Sequence, residues 1–296
     1  MEQDTEPAFQ RVALLGLGLM GGSLALAIRQ AGLAGELIAY DADKQTLAEA
    51  VVAGVIEQGA SDARDAAGEA DLVVLAAPVR AILVLIEQIA TVLRPGALVL
   101  DLGSTKQAIV AAMSGLPETV RAVGGHPMAG KESAGLRHAE ATLFNGAPFV
   151  LCATSRTDER ASELAQGLAR RVGACPLWLD PREHDALVAS ASHLPYMVSV
   201  ALVRAALAVD DGRLWTLAAG GFRDTSRLAA SDERMMLDIL RTNTDAVRAA
   251  LRTLREQLDA LDSVLAEGDE ATLLTLLSQA AARRRTLFQP SRAASG

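Results

Sequence analysis

The sequence predicts a doubly wound, mostly parallel α/β sheet of the Rossmann type followed by an all-helical C-terminal domain, and three observations carry that prediction. Short apolar runs alternate with helical segments through the first part of the chain. Those runs are continuous rather than alternating with polar residues, as in strands buried on both faces. From about Pro181 strand-like runs disappear and helical periodicity takes over. A length of 296 residues suits two domains, which this change divides into 1–180 and 181–296.

The first element is the strand 12–15. It runs into Gly16-Leu17-Gly18-Leu19-Met20-Gly21, then a helix over 22–31 and a second strand, 37–41, ending on Asp41. Strand, glycine loop, helix, strand and acid in this register form a dinucleotide-binding unit. Gly16 allows the tight turn, Gly18 lets the backbone approach a pyrophosphate, and Gly21 lets helix and strand pack closely. The helix N-terminus offers free N–H groups to the phosphates. Asp41 stands where a carboxylate accepts hydrogen bonds from a ribose diol and repels a 2′-phosphate, so the expected cofactor is NAD rather than NADP, with Lys44 close by.

The alternation continues. Residues 71–76 form an apolar strand ended by Pro78, 79–93 have helical length, and Pro95-Gly96 stops that helix. Strands follow at 97–101, 120–123, 148–152 and 176–179, and a helix begins near Thr105. Ligands of such sheets bind beyond the carboxyl ends of the strands, so the loops after Leu15, Ala76, Asp101 and Val123 are expected to face one crevice. Ala77, Pro78 and Gly103, in two of those loops, join the glycine loop as expected cofactor contacts.

Within the helical part, Leu240, Val247, Leu251, Leu254, Leu258, Leu261 and Leu265 recur at spacings of seven, four and three, a heptad-like stripe that ends near Gly268. It is either a seam inside the subunit's own bundle or the interface of a homodimer built by the C-terminal helices. Residues 291–296 read as a disordered tail.

Composition limits the partners. Half the residues are hydrophobic but aromatics are only 3%, so the core is expected to be built from Ala, Leu and Val. A formal charge of −8 argues against nucleic acid. Cys152 and Cys175 lack metal-ligand spacing and read as small buried hydrophobes in a reducing compartment, so no metal is expected. No apolar run in the sequence is read as membrane-spanning, and residues 1–10 do not resemble a secretory signal, which together suggest a cytoplasmic protein without a membrane partner.

Four segments carry the chemistry. Asp101-Leu102-Gly103-Ser104-Thr105-Lys106 follows a strand and places Ser104 within reach of the nicotinamide end of the crevice, where it could equally cap the following helix. Gly124-Gly125-His126-Pro127-Met128-Ala129-Gly130-Lys131-Glu132 puts a histidine in a loop at the ligand end of the sheet. Removing hydride from an alcohol carbon leaves a proton on oxygen, and a neutral imidazole is suited to accept it. Ser192-His193-Leu194-Pro195 carries a second histidine, which by itself reads as an ordinary helical residue. Gly220-Gly221-Phe222-Arg223-Asp224-Thr225-Ser226-Arg227 interrupts the helices with two guanidinium groups that could grip a carboxylate or simply be solvated. His138 and His184 read as structural.

Together these motifs, in this order over about residues 10–270, resemble the prephenate/arogenate dehydrogenase family. The resemblance implies NAD-dependent oxidative decarboxylation of prephenate to 4-hydroxyphenylpyruvate, or of arogenate to tyrosine, in tyrosine biosynthesis. It implies that His126 accepts the proton of the ring hydroxyl, that Ser104 bonds to that hydroxyl and to the histidine, and that Arg227 holds the ring carboxylate. His193 would lie near the substrate side chain and Glu132 at the pocket mouth. The chain departs from the family pattern at Lys131, where threonine is usual, and at Tyr196, where a second histidine is usual. Lys131 would add positive charge favouring the dianionic prephenate. Two other readings compete: a β-hydroxyacid dehydrogenase of the hydroxyisobutyrate type, for which the lysine expected after Gly220-Gly221 is missing, and a nonenzymatic NAD-sensing protein.

Overall fold

The computed structural model describes residues 7–287. The expected tail at 291–296 lies outside them. The chain forms two compact units, divided after Val247.

In the first unit, strand β1 (Phe9–Leu15) leads into helix α1 (Leu19–Gln30), followed by β2 (Ala34–Tyr40), α2 (Lys44–Val52), β3 (Gln58–Gly59), α3 (Ala63–Ala67), β4 (Leu72–Leu75), α4 (Val79–Ile89), β5 (Leu98–Asp101) and α5 (Gln107–Ser114). Then come β6 (Arg121–Pro127), β7 (Pro148–Ala153), α6 (Glu159–Arg171) and β8 (Cys175–Trp178). The sheet order is β3-β2-β1-β4-β5-β6-β7-β8, and only the β6–β7 pairing is antiparallel. This is the doubly wound, mostly parallel sheet that the sequence predicts.

Both faces of the sheet are covered, so successive side chains of one strand enter different cores. Val12 and Leu14 of β1 join one cluster, while Ala13 and Leu15 join the other. Continuous apolar strands follow from that arrangement. Helix α4 buries Val79, Ile82, Leu85, Ile86 and Ile89, spacings of three, three, one and three that place them along one helical stripe against the second cluster.

Among the described residues, helices alone follow β8: α7 (Pro181–Val188), a π-helical turn (Ala189–His193), α8 (Leu194–Leu207), α9 (Arg213–Leu217), α10 (Gly220–Ser226), a 3₁₀ turn (Arg227–Ala230) and α11 (Glu233–Thr242), with two more after them. α12 (Thr244–Glu267) begins in the first unit, and the second unit comprises the rest of it and α13 (Glu270–Leu287).

Four expectations change. Strand β6 runs on through Pro127, so His126 lies on a strand and pairs with Val150 of β7 rather than sitting in a loop. Cys175 is exposed at the start of β8, and only Cys152 is buried. The helical run Pro181–Leu207 is long and apolar enough to cross a membrane, with mean hydropathy 1.6 in its most apolar window, contrary to the reading that no run reaches that length. The reason is local: a π turn carries the helix through Ser192-His193-Leu194-Pro195, so the proline does not end it. Finally, within the leucine stripe only Val247 is buried, while Leu258 and Leu265 are 54% and 63% exposed, so the stripe is not a buried seam within one subunit.

Candidate active site

The glycine loop has the shape its residues foretell. Gly16 has φ +110, and a Cβ there would come within 2.4 Å of Ala76 O, so β1 and the loop after β4 meet too closely for any side chain. At Gly21 a Cβ would stand 2.0 Å from Gly16 O, which fixes the approach of α1 to the turn. Gly18 faces open space within 4 Å, and no side chain caps α1 behind it. A bare helix N-terminus with open space at its cap fits a pyrophosphate.

Asp41 follows β2 and turns its carboxylate onto the loop, where Oδ2 accepts from Leu17 N at 2.7 Å and Oδ1 from Asp43 N at 2.9 Å. Leu17 is buried, whereas Leu19 and Met20 are half-buried at the start of the helix. Ala77 and Pro78 form the turn from β4 into α4, with Pro78 as its N-cap. Gly103 lies just past β5, its N–H held 2.8 Å from Asp101 Oδ2.

At the ends of β5 and β6 an interior ion pair joins the two strands. The Asp101 carboxylate and the Lys106 ammonium are fully buried and paired. Asp101 Oδ1 accepts from Gly125 N at 2.9 Å, and Lys106 Nζ donates to Gly125 O at 2.5 Å. An unpaired buried charge is costly, and here each partner also binds backbone, so the pair clamps the Gly103-Ser104 turn to the strand that carries His126. Ser104, half-buried, does not cap α5: that helix starts at Gln107, and its first N–H groups are taken by a side chain from elsewhere.

That side chain is Asp185. Asp180 caps α7 by accepting from Arg182 N and Glu183 N, and Pro181 suits its first turn, which brings His184 and Asp185 inward one turn later. Asp185 Oδ1 accepts from Lys106 N at 2.7 Å and Oδ2 from Gln107 N at 3.0 Å. His184 Nδ1 lies 2.8 Å from Asp185 Oδ1, and its Nε2 lies 2.8 Å from His126 Nδ1. Burial pushes the Asp185 carboxyl up, but the bonds from His184, Gln107 and Lys106 outweigh it and hold the group below the ordinary carboxylate value. Burial, then the charges of Lys106, His184 and His193, pull His126 well below its ordinary value of 6.5.

His193 is buried at the end of the π turn, 3.3 Å from Asn243 Nδ2, which also donates to Asp185 O at 2.7 Å. Burial lowers its pKa to about 4. Arg227 opens the 3₁₀ turn, exposed, and its guanidinium pairs with Glu132. Lys131 pairs with Glu140 at 2.5 Å, so its charge is offset within its own loop. Tyr196 is half-buried in α8.

The fold therefore brings His126 beside the Ser104 turn, and Arg227 beside Glu132, from distant parts of the chain. It also brings in Asp101, Lys106, His184 and Asp185, to which the sequence reading gave no role. A signal for the first two was present: an acid ending an apolar strand with a lysine five residues on. For His184, read as structural, the chain held no local signal.

Comparison with known proteins gives the family. Residues 24–176 match the family model for the prephenate dehydrogenase nucleotide-binding domain, and residues 180–279 that for the prephenate dehydrogenase dimerization domain. The chain is 34% identical to prephenate dehydrogenase of Bacillus subtilis (strain 168) over 268 residues, 88% of this chain and 72% of that one. Among solved structures it is similar to prephenate dehydrogenase from Aquifex aeolicus in complex with hydroxyphenyl propionate and NAD+ (TM-score 0.90, 29% identity, 96% of this chain and 100% of that one). It is also similar to Synechocystis arogenate dehydrogenase (TM-score 0.82, 32% identity, 94% and 100%). On these matches, which cover both its parts and decide against a β-hydroxyacid dehydrogenase of the hydroxyisobutyrate type, the chain belongs to the prephenate dehydrogenase family.

Proposed function

We propose that the chain catalyses the NAD-dependent oxidative decarboxylation of prephenate to 4-hydroxyphenylpyruvate in tyrosine biosynthesis. The observation that carries this reading is a half-buried, neutral imidazole, His126, at the carboxyl end of β6 and locked to the Ser104 turn through the Asp101–Lys106 pair. Arogenate is the runner-up substrate, supported by the likeness to the Synechocystis enzyme. Lys131 no longer separates the two, because Glu140 offsets its charge.

In this reading Gly16, Gly18 and Gly21, with Leu17, Leu19, Met20, Ala77, Pro78 and Gly103, form the cofactor cradle, and Asp41 holds the ribose diol. NAD, when bound, supplies the acceptor for the hydride. His126 takes the proton of the ring hydroxyl while Ser104 donates a hydrogen bond to that oxygen and fixes its position. Arg227 holds the ring carboxylate, Glu132 stands at the pocket mouth, and His193 and Lys131 flank the side chain of the substrate. Loss of carbon dioxide aromatises the ring, so the residues need mainly to orient the substrate and take one proton.

Steady-state formation of NADH tests this. Prephenate with NAD should be turned over, and Asp41→Ser should narrow the preference for NAD over NADP by removing the carboxylate that repels a 2′-phosphate. No turnover with either prephenate or arogenate would overturn the reading and leave the NAD-sensing alternative. An unchanged cofactor ratio in Asp41→Ser would remove Asp41 from the ribose.

We also propose that residues 1–180 bind the cofactor and that 181–296 bind substrate and form a homodimer. Support comes from the family description of residues 180–279 and from exposed leucines at 258, 265, 274 and 277 in the two last helices. A second copy is the occupant we assign to that apolar surface and to the apolar run at 181–207. Lipid and nucleic acid have no part in the reading, and we place the reaction in the cytoplasm, with the nicotinamide pool it draws on. Sedimentation should give the mass of two chains, and a monomer at micromolar concentration would refute the interface.

A further inference from the structure

Between His126 Nδ1 and His184 Nε2 there is 2.8 Å, room for a single proton. If His126 Nε2 is to accept a proton from substrate, it must be bare, and the ring's own proton must sit on Nδ1. That proton then points at His184 Nε2, which must be bare in turn. His184 therefore carries its proton on Nδ1, 2.8 Å from Asp185 Oδ1. A carboxylate only accepts, so it selects this arrangement and rejects the reverse one, in which a bare Nδ1 would face a bare oxygen.

Asp185 is itself held at both oxygens. Its two oxygens accept from Lys106 N, Gln107 N and Gln107 Nε2, at 2.7, 3.0 and 3.2 Å, and its own carbonyl accepts from Asn243. The two backbone donors open α5, where the helix dipole favours an anion. His184 and Asp185 are both fully buried, so water does not compete for these bonds.

From this geometry we infer that His184 and Asp185 are positioning residues of the reaction: through His184 the Asp185 carboxylate fixes the tautomer and orientation of His126. The inference rests on the reading of His126 as the general base. The charged and titratable groups around that imidazole are Lys106, His184 and His193, with Asp101 and Asp185 behind them. Lys106 opposes a positive charge on His126, so Asp185, joined to it through His184, is the anion placed to stabilise the imidazolium formed in turnover.

Asp185→Asn tests the inference while keeping the side chain's shape. Turned so that its oxygen keeps both Gln107 donors, its amide gives up the bond from Lys106 N, donates to His184 Nδ1 and reverses both tautomers. The expected result is a fall in kcat of about two to four orders of magnitude, the upper end being the loss when the equivalent carboxylate of a serine-protease triad is changed to an amide. The Michaelis constant for prephenate and the NADH dissociation constant should change far less. Nitrogen-15 NMR of the free protein should show His126 moving from the Nδ1–H to the Nε2–H form, a readout independent of turnover. A folded Asp185→Asn with full kcat, or one whose His126 stays in the Nδ1–H form, would overturn the inference.

If that variant does not fold, His184→Gln and His184→Leu decide the matter. Glutamine places an acceptor oxygen near the lost Nε2 and should retain His126 as Nδ1–H with kcat within about tenfold, whereas leucine should lose both. Equal kcat in the two variants would refute the role of His184. Should His126 instead prove not to be the base, His126→Asn would keep its turnover. The tautomer change in Asp185→Asn would still report the coupling, so the two failures are distinct.

Discussion

His126→Asn should lower kcat by about two to four orders of magnitude, the usual scale for loss of a general base, with NADH affinity nearly intact. The affinity should survive because the expected cofactor contacts lie on α1 and at the turns after β1, β2, β4 and β5, while the imidazole lies on β6. The pH profile gives a second reading of the same group. Only the neutral ring accepts a proton, so kcat falls as pH drops through the pKa of His126. Burial and the charges of Lys106, His184 and His193 place that pKa well below 6.5, so the acid limb of wild-type activity should lie below pH 6.5. In His126→Asn that limb should vanish along with the rate. Retention of normal turnover in the variant, or a wild-type limb centred above pH 7, would remove His126 as the base.

The glycine loop was legible because its requirements are local. A positive φ at Gly16 and the close approach at Gly21 depend on neighbouring backbone, and residues within one βαβ unit announce them. Asp41 was legible for the same reason. The extension of β6 was not, because Gly124-Gly125 and Pro127 carry the signals of a loop. A Cβ at Gly125 would lie 2.4 Å from Asp101 O, so close packing of β6 on β5, rather than a turn, explains that glycine. A lysine is seldom interior, yet Lys106 enters the interior because Asp101 and Gly125 O give it partners there. His184 and Asp185 meet the sheet only when α7 packs beside α5 and β6, a contact spanning 58 residues in the case of His126, and no local pattern encodes it. The leucine stripe was visible as a period, but a period does not say which of its residues are buried, and Leu258 and Leu265 stay exposed.

Arg227→Ala should chiefly weaken substrate binding, raising the Michaelis constant for prephenate with a smaller effect on kcat. Loss of a charge-assisted pair that the substrate desolvates costs on the order of 2 to 5 kcal/mol. The lower end applies here, because the guanidinium is 55% exposed and already engaged by Glu132. The ring carboxylate must then displace one carboxylate to gain another, and about 2 kcal/mol corresponds to a rise of roughly thirtyfold. This competition makes the prediction sharper than a single substitution would. In a Glu132→Ala background Arg227 has no competing partner, so the same Arg227→Ala change should cost more than it does in the wild type. A double-mutant cycle on kcat/KM measures that difference directly, and a coupling of at least about 0.5 kcal/mol is expected for groups in contact. Additive effects would mean that the Glu132 pair does not compete with substrate. A Michaelis constant unchanged by Arg227→Ala in either background would take the arginine out of the site and leave the ring carboxylate to be held by another cation.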